Sequence, residues 1–179
     1  GHELRIIDED GIEIERSRVG EIVGHSGFIM RGYHGDAERT RATEWYEPDT
    51  GARFIRTGDI GYFDEDGFLN IVGRAKETII SGGFNIFPSD IEAVLREHEA
   101  LADVAVFGVD SAQWGETPVA FVTLAPGADI DAETIQAWAN ARLGKFQRLS
   151  DTRVVDAVPR NAIGKVSRKD LRRIYSENA

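Results

Sequence analysis

Short apolar runs separated by turn residues fill the first 73 positions of the chain, and little of helical period lies between them. Residues 4–8 and 12–15 flank Glu9-Asp10-Gly11, whose Asp-Gly step is a hairpin signal. Residues 19–25 and 28–30 are further runs of this kind, broken by glycines. Residues 36–45 are charged and helical in composition, and read as a short surface helix or loop. Gly61-Tyr62-Phe63, Asp64-Glu65-Asp66-Gly67 and residues 68–72 repeat the strand–turn–strand pattern. A sheet with neither a helix nor a second sheet packed on it leaves an apolar face in water. Residues 1–74 are therefore expected to be the β-rich tail of a larger domain whose beginning lies upstream.

After Gly73 the pattern changes. Residues 78–80 and 85–87 are strand candidates around Gly82-Gly83. Pro88-Ser89-Asp90 opens a helix that runs to about Glu97, with Ile91, Val94 and Leu95 on one face. Residues 104–109 and 119–124 are β-rich, and residues 131–143 form an amphipathic helix carrying Ile135, Trp138, Ala139 and Leu143. A strand over 152–155 and a basic helix over 169–175 complete the chain. The expected fold class is α+β: a small antiparallel sheet flanked by helices over 75–179, preceded by the β-rich segment 1–74. The boundary falls near Lys76, marked by the changed pattern and not by a flexible spacer.

Composition removes several function classes. A net charge of −10 argues against non-specific binding to nucleic acid or anionic membrane, but leaves room for local recognition of an anionic ligand. Without cysteine there is no disulfide scaffold, cysteine nucleophile or thiolate metal site. No apolar run approaches the roughly 18–20 residues that span a bilayer, and the N-terminus enters on a strand with no signal-peptide core. A soluble, cytoplasmic α/β chain is expected. His2, His25, His34 and His98 show no ligand spacing, so no metal site is expected from them.

Three motifs occur in fixed order: TGD at 57–59, GRAKETIISGGFNIFPSDIE at 73–92 and PRNAIGK at 159–165, with GEIVGHSGFIMRGYHG ahead of them at 20–35. Taken alone, Asp59 is a turn aspartate after Gly58, although a carboxylate can also accept both cis hydroxyls of a ribose. Arg74 alone is a surface arginine, and Lys76 an ordinary solvated lysine. Gly82-Gly83 permits positive φ, as in a tight hairpin or a close ligand approach. Lys165 alone is one cation among Arg160, Arg168, Lys169, Arg172 and Arg173. A Walker A loop is excluded, because Pro159 stands where its first glycine belongs and Val166 where Ser or Thr should follow the lysine.

As an ordered set, these motifs resemble the last signature motifs of the adenylate-forming superfamily, which contains acyl-CoA synthetases, luciferases and peptide-synthetase adenylation domains. The resemblance covers essentially the whole chain. It implies that Asp59 holds the ribose of AMP and that Arg74 contacts the nucleotide near ribose and phosphate, which suits a multi-donor guanidinium. It places the hinge of a mobile C-terminal domain at Lys76. It makes Ser81, Gly82, Gly83, Phe84 and Asn85 the lining of the CoA pantetheine tunnel, and Lys165 the cation on the reacting phosphate and carboxylate. Trp114, Phe146 and Arg148 stand where some CoA ligases hold the CoA nucleotide. Ser150 replaces a second basic residue there, and partial core packing explains Trp114 and Phe146 equally well.

The resemblance further implies ATP and CoA as substrates, with magnesium arriving on ATP, and a carboxylic acid as the third substrate. The missing N-terminal domain would supply the phosphate loop and acyl pocket, so the chain alone is expected to be inactive. A peptide-synthetase-type domain that loads a carrier protein, a luciferase-like oxidase and a non-enzymatic docking module are the alternatives.

Overall fold

In the computed structural model, which describes residues 1–177, the chain divides into two units, Gly1–Lys76 and Glu77–Ala179. The first contains β1 (Glu3–Ile7), β2 (Gly20–His25), α1 (Ala37–Ala42), β3 (Glu44–Tyr46), β4 (Arg53–Phe63) and β5 (Leu69–Arg74). β4 organises this unit. β2 pairs along one edge of it, β3 and β5 share the other, and β1 lies outside β2, all antiparallel. Alternation along a strand sends neighbouring residues to opposite faces. Ile6, Ile22 and Phe63 accordingly cluster apart from Ile7, Val23, Trp45 and Phe54.

Local side chains cover part of both faces. Trp45 stands edge-on to Phe54 and donates its Nε1–H to the Gly11 carbonyl at 2.7 Å. The Arg16 guanidinium lies 3.7 Å from the centre of the Phe63 ring. Ile12, Phe28, Phe68 and Ile71 remain exposed.

The strand expected over 12–15 is reduced to a single bridge between Ile7 and Glu13. The Asp8 carboxylate accepts from the N–H groups of Asp10 and Ile12, which curls the chain before a ladder can start. Residues 28–30 are likewise irregular, and Phe28 is almost fully exposed.

A 3₁₀ turn, Ala75–Glu77, leads to β6 (Ile79–Ser81), β7 (Phe84–Ile86), α2 (Pro88–Arg96), β8 (Leu101–Ser111), β9 (Gly115–Leu124), α3 (Ala132–Asn140), β10 (Asp151–Val154) and α4 (Arg168–Glu177). β8 and β9 form a long antiparallel hairpin. β6 bridges β9 through Ser81 and Gly115, and β7 pairs with β6. The sheet is antiparallel as expected except at one neighbour, where β10 runs parallel to β9. The chain leaves β9, crosses through α3 and returns in the same direction, the connection that parallel neighbours require.

Alternation again divides the core. Val104, Val106, Ala120 and Val122 face Ile91 and Leu95 of α2 and Ile135 and Ala139 of α3. Ala105, Phe107, Val119 and Phe121 face Leu171 of α4 and Val158. The second unit is thus a sheet with helices on both faces, the α+β arrangement expected from the sequence.

Candidate functional site

Thr57-Gly58-Asp59 is a bulge in β4. Between two paired positions β4 advances from Arg56 to Ile60 while β2 moves only from Val23 to Glu21. Gly58 takes a φ of +73° to absorb the surplus chain. Thr57 Oγ1 donates to the Ile22 carbonyl at 2.8 Å and accepts from the Asp59 N–H at 3.0 Å, which ties the bulge down. Opposite it, Arg74 is the register partner of Asp59, and its Nη1 donates to Asp59 Oδ1 at 2.6 Å. The two sequence-predicted nucleotide residues therefore meet as an ion pair, with the arginine more than half exposed. Such a pair sets a carboxylate and a guanidinium side by side on one surface. Lys76 follows two residues later, exposed, within the 3₁₀ turn at the end of the first unit.

In the second unit, Gly82 and Gly83 form the two-residue turn between β6 and β7, with φ of +58° and +82°. Paired positive φ values are the signature of the tight hairpin turn that matches strand twist. The Gly82 N–H donates to the Trp114 carbonyl at 2.8 Å. A Cβ on Gly82 would lie 3.0 Å from Trp114 Cε3, whereas one on Gly83 would meet nothing within 4 Å.

Phe84 stacks on Phe146 with ring centres 4.2 Å apart, and Trp114 meets Phe146 edge-on at 6.1 Å. Trp114 and Phe146 thus come together beside the glycine turn. Phe146 packs against the core margin, while Phe84 and Trp114 keep 53% and 37% exposure, so the cluster presents aromatic surface outward. Ser81 is buried and Asn85 exposed. Arg148 is exposed and has no ion pair or ring contact among the described residues.

Residues 159–167 make a closed loop. The Asn161 carboxamide oxygen accepts from the N–H groups of Ile163 and Lys165, and the Asn161 N–H donates to the Lys165 carbonyl at 2.8 Å. Gly164 has a φ of +78°, and Arg160 bridges with Val166 at the loop base. Lys165 is exposed on this loop.

The neighbouring arginines are occupied. Arg160 pairs with Asp103 at 2.7 Å, Arg168 with Glu77 at 2.8 Å, and Arg173 with Glu177 at 2.9 Å. Arg172 donates to the Gly108 carbonyl at 3.1 Å. Among the described residues Lys165 has no ion pair, a condition it shares in this tail with Lys169.

Sequence reasoning missed Asn161, Glu92 and Glu116. Asn161 could have been read as a turn residue from its place before Ala-Ile-Gly. Glu92 and Glu116 carry no local signal, because their partners lie far along the chain: Glu92 accepts from the Val106 N–H, and Glu116 from the Ile80 N–H. Among the described residues no cluster of three or more acidic, histidine or cysteine side chains could hold a metal, and no helix is long and apolar enough to cross a membrane.

Residues 90–165 match the family model of the AMP-binding enzyme C-terminal domain. Across 93% of its length the chain is 38% identical to a 2-succinylbenzoate–CoA ligase of Geobacillus kaustophilus, covering 33% of that protein. It is 37% identical over 89% of its length to a long-chain-fatty-acid–CoA ligase of Bacillus subtilis, covering 27% of it. ATP-bound MatB from Rhodopseudomonas palustris superposes with a TM-score of 0.88 at 34% identity, over 99% of this chain and 34% of that one. An amide bond synthetase, McbA from Marinactinospora thermotolerans, gives 0.85 at 34% identity, over 97% of this chain and 35% of its own. The chain thus carries the C-terminal domain of the AMP-binding enzymes and resembles CoA ligases along most of its length. It spans about a third of the length of the curated relatives it matches.

Proposed function

We propose that this chain is the C-terminal portion of an ATP-dependent acyl-CoA ligase, which converts a carboxylic acid, ATP and CoA to acyl-CoA, AMP and pyrophosphate through an acyl-adenylate. The observation that carries the reading is the condition of Lys165. Each arginine around it is engaged in holding the fold, while Lys165 sits on an exposed, internally bonded loop with no ion pair among the described residues. As the acid's carboxylate attacks the α-phosphate, negative charge grows on the phosphate oxygens and pyrophosphate departs. An ammonium held on a firm loop stabilises that charge without a partner having to be displaced. Asp59 would hold the ribose hydroxyls, with Arg74 beside it toward the phosphate.

In the second step the CoA sulfur bonds to the acyl carbon and AMP leaves. The Ser81–Asn85 turn would line the approach of the CoA thiol, with Trp114, Phe146 and Arg148 near the CoA nucleotide. Lys76 would be the pivot between the two steps. The same neighbour, MatB, matches this chain with a TM-score of 0.88 when ATP-bound and 0.67 when apo. The matched region of that protein therefore differs in shape between its two structures, which supports a pivoting reading here.

A second reading has the acyl group passed to an amine or a carrier protein, and McbA's likeness favours it over the oxidase and docking-module alternatives. The product separates the two. Given a panel of acids, the whole protein should release AMP only with CoA present and form an acyl thioester visible by mass spectrometry. Product that forms without CoA and requires an amine or a carrier would reject the ligase reading. The 179-residue chain alone should show no ATP–pyrophosphate exchange with any acid.

A further inference from the structure

The first residue of α4 touches three places at once. Arg168 Nε pairs with Glu77 Oε2 at 2.8 Å, its Nη2 lies 3.8 Å from Glu92 Oε1, and its Nη1 donates to the Val106 carbonyl. Glu92, buried on α2, accepts from the Val106 N–H at 3.0 Å and from Arg96 at 3.0 Å. Both backbone groups of Val106, on the edge of β8 that faces away from β9, are thus satisfied by one acid and one arginine.

This junction is placed between two proposed working parts. Glu77 is the first residue of the second unit, next to Lys76. Lys165 lies three residues before Arg168, on a loop whose base is closed by the Ser167 N–H donating to the Pro159 carbonyl. Ser167 Oγ also bonds Asp170 across the start of α4, so the link from the loop to Arg168 is short and stiff. A planar guanidinium with fixed donors suits such a three-way contact, and a lysine could satisfy only part of it.

We propose that Arg168 is a positioning residue that fastens the Lys165 loop to Glu77, so that the start of the second unit and the lysine move as one piece. The inference rests on the ligase reading for its purpose, but the linkage can be measured separately. In the whole protein, Glu77→Gln removes the charge at the more exposed end of the pair, and Arg168→Lys shortens the reach at the other.

Hydrogen exchange over 161–167 should rise about fivefold in both variants, the size of a partly exposed ion pair. Exchange over β9 should stay unchanged. Adenylate formation should fall by a similar factor, while thioester formation from premade acyl-adenylate is spared. Unchanged exchange over 161–167 in both variants would overturn the linkage, as would a rise that appears equally in β9. Faster loop exchange with undiminished adenylate formation would show that the contact does not position Lys165 and would overturn the proposal, while leaving the ligase reading to the Lys165 substitution.

Discussion

Gly82 and Gly83 look alike in sequence and differ in structure. Both have positive φ, so any side chain there is strained by roughly 1–2 kcal/mol. Only Gly82 has Trp114 within 3.0 Å of where a Cβ would sit. Gly82→Ala should therefore lower stability to urea more than Gly83→Ala, with the latter near 1 kcal/mol from backbone strain alone. Equal losses would show that the Trp114 contact yields freely. In the proposed enzyme a larger residue at Gly83, pointing into open space, should slow thioester formation before it affects folding. The glycine pair was legible as a turn. The asymmetry was not, because Trp114 is brought to it by the distant start of β9.

Turns and helix caps carry the elements' response to pH. The Thr50 hydroxyl and the N–H groups of Thr50 and Asp49 hold the Glu47 carboxyl below its usual range. The Asn70 amide and the Phe68 N–H do so for Asp64, and the Thr134 N–H does so for Asp131 at the start of α3. A carboxyl whose folded value is depressed stabilises the fold above its unfolded value and loses that contribution as pH falls through the folded one. Asp90 has the opposite sign: burial raises its carboxyl, so its ionised form is penalised and acid relieves it. With three depressed groups against one raised, the urea midpoint should fall from about pH 7 to about pH 3, and Glu47→Gln should flatten that fall. A midpoint that rises toward acid would contradict these assignments.

Most elements beyond Gly73 were readable from the sequence, because their apolar residues alternate on β8 and β9 or recur at helical spacing on α2 and α3. The parallel course of β10 and the shrinkage of 12–15 to a bridge were not. One depends on a crossover, the other on a carboxylate that captured the backbone first.

Taken whole, the chain carries features shared among ligases of different acids. Its relatives include ligases of 2-succinylbenzoate, a long-chain fatty acid, 4-coumarate and indoleacetate, all at 35–38% identity. Such even likeness singles out none of these acids. Asp59, Arg74 and Lys165 were each named from ordered motifs. Folding added what single motifs could not: the ion pair between the first two, and the engagement of the arginines that surround the third.

The central claim is that Lys165 serves the adenylating step alone. It is tested most directly by Lys165→Ala in the whole protein, with the two half-reactions assayed apart. ATP–pyrophosphate exchange with the cognate acid should fall by about a hundredfold or more, the scale of losing one preorganised electrostatic contact. Transfer from premade acyl-adenylate to CoA should stay within about twofold of the parent. Equal loss in both half-reactions, or exchange that survives the substitution, would contradict the account.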